Sequence, residues 1–113
     1  MPKTKVLIVD DQDLFASGID IILKGPGKEE FAVVGTAHDG KEAVSMTGRL
    51  RPDVVLMDVR MPNMDGVEAT RVIMERYPDT KILILTTFDD DEYVFAALNN
   101  GAQGYVLKDI SPD

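Results

Sequence analysis

The chain has 113 residues, 44% of them apolar, and carries 20 Asp+Glu against 12 Lys+Arg for a net charge of −8. That is enough for one domain with one core, and the acidic balance argues against this segment gripping a nucleic-acid backbone by itself. With no cysteine and a single histidine, His38, disulfides, thiolate zinc sites and cysteine nucleophiles are excluded, and histidine-based metal sites or triads have little support.

Lys5–Val9 (KVLIV) reads as a buried strand that ends in Asp10-Asp11. In the following DDQDLFASGIDIILKG, Leu14, Phe15, Gly18, Ile19, Ile22 and Leu23 recur at helical spacing, and Gly25-Pro26-Gly27 stops that helix. Phe31–Ala37 is a short strand. Asp39 can cap a second helix whose buried positions include Ala43, Val44 and Leu50. Pro52–Met57 is the third strand, and Asp58 stands at its end. Asp65-Gly66 opens a third helix bearing Val67, Ala69, Thr70, Ile73 and Met74, and Pro78 stops it.

Lys81–Thr86 is the fourth strand. Asp89, Asp90 and Asp91 favour a helix N-terminus, and Tyr93, Val94, Ala97 and Leu98 give that fourth helix its apolar stripe. Gly101 ends it, and Gly104–Leu107 is the fifth strand, followed by Lys108. Ile110–Asp113 resembles the opening turn of a fifth helix, with Ser111 able to cap it and Pro112 at its first position. Strands alternating with helices predict crossover units and a doubly wound parallel sheet covered on both faces. The fifth helix is expected to be largely missing, so residues 1–113 are expected to be a fragment of a longer protein. No apolar run approaches the ~20 residues of a membrane span, and the N-terminus enters a strand without a signal peptide. A cytoplasmic, non-membrane protein is the expectation.

Parallel sheets place their chemistry at the carboxyl ends of their strands. Asp10, Asp11 and Asp58 then fall side by side, with Thr86 and Lys108 at neighbouring strand ends. Like charges packed together need a cation to offset them, and Mg²⁺ with oxygen ligands is the natural one. Taken alone, Asp10 and Asp11 could merely cap a helix. Two roles are open to Asp58, a permanent metal ligand or a nucleophile forming an acyl phosphate. Thr86 and Lys108, each taken alone, are better read as an ordinary β-branched strand residue and a solvated strand-end lysine. No P-loop or dinucleotide-binding glycine pattern is present.

Three motifs carry a family resemblance: VLIVDDQ (6–12), VVLMDVRMPNMDG (54–66) and ILILTTFDDDEYVFAALNNGAQGYVLKD (82–109). On them the chain resembles the receiver domains of two-component response regulators (the CheY-like fold), and most of all those attached to LuxR-type helix-turn-helix output domains. The resemblance implies a flavodoxin-like strand order 2-1-3-4-5. It implies Asp58 as phosphoacceptor from a sensor histidine kinase. Asp11, Asp58 and the Arg60 backbone carbonyl would hold Mg²⁺, with Asp10 supporting the ion. Thr86 would turn to the phosphoryl group, Lys108 would pair with it, and Tyr105 would be a switch aromatic.

It also implies a homodimer through the face made by the fourth helix, the fifth strand and the missing fifth helix. DNA would be bound only through an absent C-terminal domain. Self-catalysed phosphotransfer and dephosphorylation would be weak, short of a conventional enzyme. Many relatives have a proline after the lysine; here it is Asp109, so a cis bond there would cost about 2.5–4 kcal/mol. Arg60 and Phe88 are a bulky pair that can slow hydrolysis of the acyl phosphate. Two rivals remain at this stage. A covalent phosphatase of the haloacid-dehalogenase type would need an aspartate where Arg60 stands. A receiver-like interaction module that no longer uses phosphorylation would be expected to lack one of the pocket residues.

Overall fold

The computed structural model describes residues 3–11, 31–86 and 91–107. In chain order these form β1 (Thr4–Val9), β2 (Phe31–Ala37), α1 (Gly40–Leu50), β3 (Val54–Asp58), α2 (Gly66–Arg76), β4 (Lys81–Thr86), α3 (Asp91–Asn99) and β5 (Gly104–Leu107). Residues 12–25 of the first expected helix, Phe88, Lys108, the Lys108-Asp109 bond and the start of a fifth helix lie outside the described residues.

The five strands form one sheet in the order β2-β1-β3-β4-β5, and every neighbouring pair is parallel. This is the doubly wound order expected. Central strands of such a sheet are buried on both faces, so they need continuous apolar runs rather than alternation. In β1, Leu7, Ile8 and Val9 are fully buried and Val6 nearly so. Leu7 and Val9 join Val55, Met57, Ile82 and Ile84 in a cluster completed by Ala43 and Val44 of α1, Ala69 and Ile73 of α2 and Ala97 of α3. The three helices therefore share one face. Val6 and Ile8 point the other way and pack with Phe31, Val33 and Leu56.

Two expectations shift. The third strand begins at Val54 rather than Pro52. Arg51 closes α1 in a left-handed conformation (φ 50°), and Pro52 has no N–H to give a ladder, so both belong to the connection. In α1, Thr47 is fully buried, whereas Leu50 is only half-buried, with its Cδ1 leaning over Gly35 of β2.

One close approach fixes the end of β3. The Gly66 N–H donates to the Val59 carbonyl at 2.9 Å. A Cβ on Gly66 would lie 2.0 Å from the Asp58 carbonyl oxygen. At Gly35 a Cβ would meet the Met46 Cε at 2.6 Å, but that methyl is the free end of a flexible side chain. Gly66→Ala should therefore lower the urea-unfolding free energy by about 1–3 kcal/mol, and Gly35→Ala by clearly less. Equal losses would show that the strand end does not require the glycine.

Candidate phosphoacceptor and metal site

Strand register assembles the site. Val9 pairs with Met57, so the next residues along β1 and β3 are Asp10 and Asp58. Asp58 pairs with Leu85, and Thr86 follows at the end of β4. Thr86 pairs in turn with Leu107, the last residue of β5. One carboxylate oxygen from each of Asp10, Asp11 and Asp58 lies within 4.8 Å of the other two. Asp10, Asp58 and Thr86 are buried, whereas Asp11 is exposed.

Carboxylates this close repel. Each pair costs on the order of 1–3 kcal/mol when both are charged, least where water screens the exposed Asp11. An all-oxygen, all-anionic set with one solvent-facing member suits a hard divalent cation that keeps some of its waters. The donor set therefore fits Mg²⁺, and it offers no nitrogen or sulfur ligand for a softer ion.

The segment after β3 is held from two sides. Asp65 caps α2, accepting from the Glu68 N–H at 2.9 Å. Asp39, the cap expected for α1, accepts from the Glu42 N–H at 2.8 Å through Oδ1. Through Oδ2 it accepts from the Asn63 side-chain amide at 2.7 Å. The Glu42 N–H, and after it the Asn63 amide, hold the Asp39 carboxyl below the usual carboxylate range. His38 is a loop residue, as expected, and its N–H donates to Glu42 Oε1 at 2.8 Å.

Arg60, two residues past Asp58, lays its guanidinium over the Tyr93 ring of α3, 5.2 Å from the centroid. Neither this contact nor the Asp39–Asn63 bond was found from the sequence. Tyr105 is 55% exposed on β5, and with Phe95 at 67% and Val106 at 49% it is one of the exposed large hydrophobic side chains among the described residues. Among the described residues, no helix is long and apolar enough to cross a membrane.

Residues 6–113 match the family described as the response regulator receiver domain. The chain belongs to that family. The receiver is 45% identical over 111 residues to the transcriptional regulatory protein DegU of Brevibacillus brevis, covering 98% of this chain and 46% of that protein. It thus spans about half the length of the relatives it matches. A LuxR-family DNA-binding response regulator from Staphylococcus aureus superposes with a TM-score of 0.81 at 30% identity, covering 96% of this chain and 88% of that one. CheY in the CheX–CheY–BeF3–Mg complex of Borrelia burgdorferi gives 0.86 at 28% identity, covering 97% and 81%. A receiver is a phosphoacceptor signalling module, with weak phosphotransfer of its own rather than enzymatic turnover.

Two outcomes follow from the site's charges. In divalent-free buffer Asp11→Asn should raise the thermal midpoint by about 3–6 °C, and no rise would show that the carboxylates do not strain the fold. Asp39 has a folded pKa below its unfolded value, held down by the Glu42 N–H and the Asn63 amide. Its contribution is therefore complete at neutral pH and is lost as pH falls through the folded value. The stability gap between wild type and Asp39→Asn, measured by urea unfolding, should hold steady from pH 7 to about pH 5 and shrink below about pH 4.

Proposed function

We propose that Asp58 accepts a phosphoryl group from a phosphohistidine of a sensor kinase. The observation that carries this reading is the convergence of Asp10, Asp11 and Asp58 within 4.8 Å. An Asp58 carboxylate oxygen forms the new bond to phosphorus as the phosphorus–nitrogen bond breaks, and the imidazole leaves with the electron pair. Asp11, Asp58 and the Arg60 carbonyl would hold Mg²⁺, with Asp10 supporting it, and bound there it would offset the negative charge of the carboxylates and of the incoming phosphoryl oxygens. The Thr86 hydroxyl donates to one phosphoryl oxygen, and the Lys108 ammonium pairs with another.

Thr86 ends β4, the strand that pairs with β5, and its turn toward the phosphoryl group is coupled to Tyr105, which acts as the switch aromatic. The phosphoryl group shifts the receiver between two states only by bonding better to one of them. The outlet of the shift is the face of α3 and β5, where Phe95 and Tyr105 are exposed and a second receiver docks. Residues 1–113 are the N-terminal receiver of a longer cytoplasmic transcription regulator. A LuxR-type helix-turn-helix domain beyond them contacts DNA. The similarity to a transcriptional regulatory protein and to a LuxR-family DNA-binding response regulator supports this arrangement.

Intact mass after incubation with acetyl phosphate tests the acceptor and the ion together. Wild type should gain the mass of one phosphoryl group with Mg²⁺ and none with a chelator. Asp58→Asn should gain none in either condition. A gain by folded Asp58→Asn equal to that of wild type would move the acceptor elsewhere.

A further inference from the structure

The short segment Ala37–Gly40, between β2 and α1, touches both arms of the acidic cluster. The Ala37 carbonyl accepts from the Asp10 N–H at 3.0 Å. Two residues on, Asp39 divides its carboxylate, one oxygen capping α1 and the other holding the Asn63 amide at 2.7 Å. The Gly40 N–H then donates to the Met64 carbonyl at 2.8 Å. The approach there is so close that a Cβ on Gly40 would stand 2.3 Å from that carbonyl oxygen. Asn63 sits at φ 69°, in the left-handed region that asparagine tolerates better than most residues. Residues 59–65, which leave directly from Asp58 and include Arg60, are thereby tied through Asp39 and Gly40 to the segment whose first residue, Ala37, bonds Asp10.

We infer that Asp39 is a positioning residue for the divalent cation: by holding Asn63 it sets the Arg60 carbonyl in place relative to Asp58 and Asp10. The inference rests on the Mg²⁺ reading above. Mg²⁺ demands near-octahedral geometry at short distances, so a ligand carried on a loop is useful only when the loop is held. Outer partners that orient ligands are commonly worth 10–100-fold in metal affinity. Asp39 acts one step further out, through the backbone, and its effect is correspondingly smaller.

Two substitutions separate this role from capping. Asp39→Ser keeps an acceptor for the Glu42 N–H but cannot also hold Asn63. Asn63→Gly keeps the left-handed backbone and removes the donor. Mg²⁺ affinity is read by calorimetric titration of the unphosphorylated chain, with thermal unfolding as the control for folding. Each folded variant should bind Mg²⁺ about 3–10-fold more weakly than wild type. The double variant should be no weaker than the weaker single, because both changes break one bond. A folded variant within twofold of wild type, or losses that multiply in the double variant, would overturn the inference. If one variant does not fold, the other decides. Wild type that binds no Mg²⁺ sinks the metal reading along with this one, whereas wild-type binding with unchanged variants sinks this one alone.

Discussion

Three carboxylates within 4.8 Å of one another repel unless something opposes them, and the rest of the molecule can be understood as the frame that opposes them. The frame is the parallel register of β1, β3 and β4. Its central apolar residues, Leu7, Ile8, Val9, Val55, Met57, Ile82 and Ile84, are fully buried. Burial of this kind yields roughly 1.5–3 kcal/mol per large side chain, so a few residues outweigh the repulsion at the edge. The strain is concentrated where a cation can relieve it. The uncomfortable resting charge is thus part of the binding energy available to such an ion, which can in turn offset an incoming phosphoryl group.

The loop leaving Asp58 must neither drift nor stiffen the strand end. Gly66 lets it turn back against the Asp58 carbonyl, and Asp65 starts α2 immediately afterwards. Asp39 and Gly40 hold its far side. Arg60 adds a different kind of contact. Its guanidinium on Tyr93 ties the residue next to the acidic cluster to α3, and Tyr93 itself packs against the main core. Such a cation–π contact at a half-open site is worth about 0.5–1 kcal/mol.

Much of this was legible beforehand. The strand-helix alternation, the apolar runs and the caps Asp39 and Asp65 were visible because each is a local signal, carried by periodicity or by a residue type that serves one backbone geometry. The acidic site was legible because its residues stand at the ends of strands, which parallel topology gathers at one edge. Boundaries were less secure at Pro52, where the connection competes with the strand, and at Leu50, where the helix rolls to favour Thr47. The Arg60–Tyr93 and Asp39–Asn63 contacts left no trace. The partners in the second lie 24 residues apart, and neither spacing nor composition links them.

By itself, the sequence determined which stretches are strands, which carboxylates stand at their ends, and that the chain has the pieces of a phosphoacceptor site. These follow from short-range preferences and from hydrophobic pattern, which any single chain displays. Only the tertiary structure decided the register, Val9 against Met57 and Asp58 against Leu85, and that the β2–α1 connection grips the loop after β3. Those depend on register and close packing. A shift of one residue in either would redirect every side chain at the edge.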